Sequence, residues 1–176
     1  MRHPLPFLVL VSAGITLDQF SKVLVCGHLA LHDSFPLWRD VLYVTHERNT
    51  GVAFSFGRNH PWVILVLTAA LVVVLLGVYL RSWRSLRPLL LASLALILAG
   101  AMGNLLDRLA LGCVRDFLDF RPELPLVGHW AVFNLADSMI CAGVALFLLA
   151  EWRRPKPPAP VPATPQESPV QAKGGG

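Results

Sequence analysis

The chain has 176 residues, of which 55% are hydrophobic and only 15% charged, and its mean hydropathy is +0.57. Soluble domains carry about a quarter of their residues as charged side chains, so a water-soluble globule is excluded and a single membrane-embedded domain is expected. The net charge of +4 comes mostly from arginines near the ends of apolar runs, which reads as a membrane-topology signal, and no basic run suggests nucleic acid.

In chain order, the opening stretch 1–17 has the basic start and apolar centre of a secretory signal. Asp18 and Lys22 stand where a cleavage site would lie and further apolar spans follow, so a retained helix is expected. A helix crossing a ~30 Å hydrocarbon core needs about 20 apolar residues. Segments 4–22, 62–80, 88–106 and 130–150 meet that demand. Between the first two spans, residues 40–56 hold two β-rich stretches around a polar turn at 47–51, which predicts a hairpin on the membrane surface. The loop 81–87 carries Arg81, Arg84 and Arg87 without an acid, Arg153, Arg154 and Lys156 follow the last span, and Arg2 precedes the first. The positive-inside rule makes all three regions cytoplasmic, both termini included, and turns loops 23–61 and 107–129 outward. The fold expected is therefore an all-α membrane protein of four transmembrane helices with a small extracytoplasmic β-hairpin or sheet. Residues 1–154 form the domain, and the Pro- and Ala-rich tail 155–176 is expected to be disordered.

Charged groups at membrane depth cost about 2.5–3.5 kcal/mol each even on the lenient insertion scale, so each needs an explanation. Asp18 and Lys22, at i and i+4 with the acid first, form either a self-neutralising pair or part of a site. Gly100, Gly103, Asn104 and Asp107 share one face of the third span, with glycines for close helix approach and a polar end toward the outer surface. Arg108 is placed to pair with Asp107 or to bind a carbonyl or phosphate. Asn134 and Asp137 share a face of the fourth span, with Asp137 roughly 10 Å along the helix from Trp130. Asp116, in the outward stretch VRDFLDF at 114–120, is able to return against the top of that span, whereas Asp119 reads as an interfacial cap or solvated charge. Two carboxylates facing each other in a poorly hydrated place cannot both ionise; they share a proton and hold a water between them. That is an apparatus for peptide hydrolysis with neither metal nor covalent intermediate.

Other constellations are weaker. His28 and His32 have the i, i+4 spacing of a zinc helix but lack the glutamate of H-E-x-x-H, so His28, His32, His46, His60 and His129 read as scattered surface histidines. Cys26, Cys113 and Cys141 give no disulfide framework or paired zinc motif, and Cys113 with His129 has no spacing that supports a nucleophile and base. A small four-span transporter or scaffold is the alternative class, though no repeat is visible.

Five blocks occur in order across the spans: DQFSK at 18–22, NTGVAF at 49–54, GNLLDR at 103–108, VRDF at 114–117 and FNLAD at 133–137. Together they resemble the bacterial lipoprotein signal peptidase (signal peptidase II) family. The resemblance implies an aspartic endopeptidase of the cytoplasmic membrane that works without cofactor or metal. Its substrates would be diacylated prolipoproteins, cut just before the lipid-bearing cysteine, and its surroundings membrane lipid rather than nucleic acid. Asp116 and Asp137 would form the catalytic dyad at the outer face, acting in a monomer. Asp18, Lys22, Asn49, Gly51, Asn104, Asp107, Arg108 and Asn134 would shape the site and hold the substrate. Arg115 is a charged residue at the variable position of its motif.

Overall fold

The computed structural model describes residues 4–39, 41–51, 61–122 and 130–153. Its helices are α1 (Leu5–His28), α2 (Pro61–Ser82), α3 (Pro88–Leu111) and α4 (Leu135–Trp152), and its strands β1 (Ser34–Trp38), β2 (Leu42–Asn49) and β3 (Val114–Phe120). All four helices are long and apolar enough to cross a membrane. The expected class is therefore met, with a three-stranded antiparallel sheet of order β1-β2-β3 beside the helices.

Local chemistry explains the helix limits. Proline opens α1 and α3, where a missing N–H costs nothing. At the other end of α3, Gly112 takes φ 70° and its N–H closes on the Arg108 carbonyl, a left-handed stop that a side chain would resist. Around α3, its most enclosed member, the other helices pack. Phe7 and Val11 of α1 and Val72 and Tyr79 of α2 meet Leu94, Ala95, Leu98 and Ala101 of α3, and the Phe7 and Tyr79 rings stack at 3.7 Å. On the far side of α3, Ala99 meets Ala136 and Met139 of α4. The outward residues of α2, among them Leu67, Val73 and Leu80, stay exposed, as lipid-facing positions do.

Several expectations on element limits need correction. The first span runs on to His28, and His32, at φ 72°, lies beyond it, so the two histidines do not share a helix. The hairpin is β1–β2, and β2 runs straight through Glu47; the second half expected at 52–56 lies outside the described residues, as does the tail from 155. The third strand comes instead from the second outward loop. The fourth helix starts at Leu135, not Trp130. Residues before it are drawn alongside β3: the Phe133 N–H donates to the Leu118 carbonyl (2.9 Å), and the Phe117 and Leu118 N–H groups donate to the Phe133 carbonyl (2.9 and 2.7 Å). A strand edge would otherwise leave those backbone groups unpaired.

α3 and α4 come together at glycine. A side chain at Gly100 would overlap the Ala136 carbonyl, and one at Gly103 would overlap the Asp18 carboxylate. Gly100→Ala should accordingly destabilise the protein, by about 1–3 kcal/mol if the helices are forced apart. Gly77→Ala, on α2 with nothing within 4 Å, should be neutral or slightly stabilising. Thermal unfolding of the two variants in detergent checks this; equal midpoints would refute the close α3–α4 approach.

Candidate active site

The site is assembled from the start of α4 outward. The first N–H groups of any helix lack intrahelical partners. Asn134 is the N-cap of α4: its side-chain oxygen accepts from the Asp137 N–H (3.0 Å), and Asp137 Oδ2 accepts in turn from the Asn134 N–H (3.2 Å). This reciprocal capping box fixes both side chains. A third donor, the Ala136 N–H, is met by Asp18 Oδ1 from α1 (3.0 Å), a carboxylate at the positive end of the helix dipole. Asp137 therefore stands in the first turn of α4 rather than two turns into a span, and Asn134 sits outside the helix rather than on its face.

With its oxygen held in the cap, the Asn134 amide nitrogen is left to point at Asp116 and Asn104. It donates to Asp116 Oδ1 (2.6 Å) and to Asn104 Oδ1 (3.1 Å). Asn104 passes the link on, its nitrogen donating to Asp137 Oδ1 (2.7 Å). Asp116 and Asp137 thus both touch Asn134, one from β3 and one from α4. On the opposite side of Asp116, Oδ2 accepts from the Asn49 nitrogen (2.9 Å). The Asn49 oxygen accepts from the Gly51 N–H (2.9 Å), an Asx-type turn, and Arg108 donates to the Gly51 carbonyl (3.3 Å).

Beneath the carboxylates lies a buried charge cluster. Lys22 Nζ is 2.8 Å from Asp18 Oδ2 and 3.5 Å from Asp107 Oδ2, and it donates to Asn104 Oδ1 (3.0 Å). Every residue singled out from the sequence, Asp18, Lys22, Asn49, Gly51, Asn104, Asp107, Arg108, Asp116, Asn134 and Asp137, is thus joined in one bonded network. Arg108 takes the carbonyl option rather than Asp107. Arg115 takes Asp107 instead, with Gln19 beside it (2.9 Å), and neither residue was singled out for the site from the sequence.

Asp119 is not a solvated charge. It is fully buried, accepts from Thr45 (2.8 Å) and pairs with Arg121, whose guanidinium lies over the Tyr43 ring. Standing three residues from Asp116 on one strand, it projects to the other side. The histidines are not all on the surface either: His46 is buried between Cys26 Sγ (3.2 Å) and the Leu29 carbonyl (2.9 Å). His60 and His129 lie outside the described residues.

The two carboxylates differ in surroundings. Asp116 is almost fully enclosed, and burial pushes its carboxyl up to about 7, with the neighbouring Asp137 charge adding to the rise and the Asn49 and Asn134 donors opposing it. Asp137 is half-buried and lines a cavity of about 430 Å³ whose other walls are Phe120, Trp130, Phe133, Ser138 and Cys141. One acid that holds a proton near neutrality, beside one that opens on an apolar cleft, is an arrangement suited to general acid–base chemistry on an apolar substrate.

Residues 10–153 match the family described as Signal peptidase (SPase) II. The chain is 42% identical over 158 residues to the lipoprotein signal peptidase of Geobacter sulfurreducens, covering 86% of this chain and 96% of that one. It is 36% identical over 148 residues to the lipoprotein signal peptidase of Halothermothrix orenii, covering 84% and 96%. Among solved structures it is similar to a bacterial membrane enzyme determined in meso at 2.3 Å, with a TM-score of 0.75, 25% identity and coverage of 84% of this chain and 87% of that one.

The state of Asp116 is directly measurable. Below about pH 7 its carboxyl should be protonated and above it ionised, so infrared titration should show a carboxylic-acid band fading with a midpoint near that value. The band should be missing in Asp116→Asn. Asn49→Ala removes a donor that favours the ionised form, and should move the midpoint upward. A midpoint in the ordinary carboxylate range would overturn the assignment.

Proposed function

The chain belongs to the signal peptidase II family, and on that footing we infer that it removes signal peptides from prolipoproteins as an aspartic endopeptidase. The substrate is the diacylglyceryl-modified precursor, cut just before its lipid-bearing cysteine. Asp116 and Asp137 are the catalytic residues, and the remaining members of the network position them. The observation that carries this reading is Asn134, which donates to the Asp116 carboxylate from its side-chain nitrogen and to the Asp137 carboxylate from its backbone N–H, beside an apolar cavity that Asp137 lines.

The pair works with one proton between them. Asp116 begins as the acid and Asp137 as the base. The water oxygen bonds to the scissile carbonyl carbon while its proton passes to Asp137 and Asp116 protonates the carbonyl oxygen. When the carbon–nitrogen bond breaks, the leaving nitrogen takes the proton from Asp137, and the hydroxyl returns a proton to Asp116. Both carboxylates end as they began, and no covalent intermediate forms.

The apolar cavity suits the acyl chains or the extended apolar signal segment of a lipid-anchored substrate. Arginines in 81–87 and after the last span favour the cytoplasmic membrane as its location, with both termini inside and the dyad at the outer face. Membership of a peptidase family does not favour the transporter or scaffold alternative.

Two experiments test this. With purified protein in detergent, a diacylated prolipoprotein should be cleaved and its non-acylated counterpart left intact; equal cleavage of both would remove the lipid from the specificity. Asp116→Asn and Asp137→Asn should each lose at least about 10²-fold in cleavage while remaining inserted and folded, because asparagine keeps the shape but moves no proton. Asp119→Asn should keep most of its kcat and instead lose thermal stability, since its partners are Thr45 and Arg121. An inactive, fully stable Asp119→Asn beside an active Asp116→Asn would reverse the assignment.

A further inference from the structure

Arg115 lies at the residue before Asp116, and its side chain is bonded to both Asp107 and Gln19. Its backbone N–H and Nε donate to Asp107 Oδ2 (2.9 and 3.1 Å), and a terminal nitrogen donates to Asp107 Oδ1 (2.6 Å). The same terminal nitrogen donates to Gln19 Oε1 (2.9 Å). Gln19 closes the arrangement by donating to Asp107 Oδ1 (3.1 Å), Asp18 Oδ2 (3.1 Å) and the Gly103 carbonyl (3.0 Å). A planar guanidinium fork on a carboxylate is the most directional of ion pairs, and lysine does not reproduce it.

This clamp joins three elements. Gln19 is on α1, Asp107 on α3 and Arg115 on β3, so the strand that carries Asp116 is pinned to two helices one residue away from the reacting carboxyl. The clamp also sets a charge balance. Asp18 and Asp107 are two buried carboxylates, and Lys22 supplies one positive charge between them; Arg115 supplies the second. Around Arg115 the ionisable groups are Asp18, Lys22 and Cys26 from α1, Glu47 and Arg48 from the paired strand β2, Asp107 and Arg108 from α3, and Cys113 and Asp116 from its own segment. Arg48 is exposed and so screened by solvent, and Arg108 donates to the Gly51 carbonyl and acts on Asp116 and Asp137 as well as Asp107, so Lys22 and Arg115 are the cations directly paired with Asp18 and Asp107.

We propose that Arg115, held by Gln19, is a positioning residue for the reaction: it fixes the height of β3 so that Asp116 meets Asp137, and it neutralises the charge cluster under the dyad. The proposal rests on the dyad assigned above. Without the Arg115 charge, the cluster keeps an excess negative charge, Lys22 is shared by two carboxylates, and the dyad holds its proton more tightly. The bell-shaped pH profile expected of a one-proton dyad then moves toward higher pH.

The test is the pH dependence of kcat and kcat/KM for wild type, Arg115→Lys and Arg115→Gln on a diacylated prolipoprotein in detergent. Arg115→Gln should lower kcat roughly 10- to 100-fold, as a misplaced reacting group does, and shift the profile upward by about one pH unit. Arg115→Lys should keep the profile at the wild-type position, since the charge remains, while recovering only part of kcat. A purely structural role would lower the amount of folded enzyme and leave the profile of the remainder unmoved, and that result would overturn the proposal. So would a displaced profile in Arg115→Lys. If Arg115→Gln does not fold, Gln19→Leu decides: it removes an anchor of Arg115 without changing charge, and should reduce kcat at an unmoved profile, whereas wild-type kcat would overturn the clamp. Failure of the dyad reading is separate, because it appears as cleavage by Asp116→Asn or Asp137→Asn, whatever Arg115 does.

Discussion

A lysine ammonium with no solvent-accessible surface holds this structure together. Moving such a charge out of water costs several kcal/mol, and the cost is offset only by partners in good geometry. Lys22 finds them in Asp18 from its own helix and in Asp107 and Asn104 from α3. Each partner also bonds elsewhere, since Asp18 caps α4, Asn104 holds Asp137, and Asp107 receives Arg115 from β3. Leaving either side of a buried pair uncompensated costs about 3–5 kcal/mol, so none of these groups is free to drift. The outcome is a polar layer fixed between helices, which is the condition for carboxylates to keep a set distance from one another.

The sheet contributes reach rather than bulk. β1 is exposed along its whole length, and Phe35, Leu37 and Trp38 show their side chains to the surroundings, as residues at a membrane interface do. β2 carries Asn49 to one side of Asp116, while the segment ending at Phe133 pairs with the opposite edge of β3 and delivers Asn134 to the other. A one-residue irregularity in β2 between Val44 and Glu47 changes the pairing with β3, so that Thr45 reaches Asp119 while Asn49 still reaches Asp116. Two aspartates three residues apart are thereby separated into different duties, one linking strands and one facing the helices.

What the sequence disclosed follows from how local each cause is. Apolar length announced the four spans, and the cost of charge in lipid singled out Asp18, Lys22, Asp107 and Asp137 before any contact was known. The start of α4 was readable but missed: Asn134 followed three residues later by an acid is a cap signal, and it competed with an apolar run at 130–133 that looked helical. The fate of Asp119 was not readable, because Thr45 meets it only through strand pairing across 74 residues. The same holds for Gln19 and Arg115, which are 96 positions apart and meet only because α1 and β3 flank the end of α3. Arg108 had two local options, and the choice of the Gly51 carbonyl depended on where the Asn49 turn came to rest.

The division of the site among distant segments bears on its birth. The chain emerges from the ribosome N-terminus first, so Asp18 and Lys22 enter the membrane early, Asn104 and Asp107 later, and Asp116 after them. Asn134 and Asp137, which close the network, come only with the final helix. A nascent chain with three helices inserted has Asp116 with no Asp137 to oppose it. On the dyad proposed above, hydrolytic capacity arises in a single late step, when α4 docks against α3, and the half-built protein presents no working blade to the proteins being threaded through the membrane beside it.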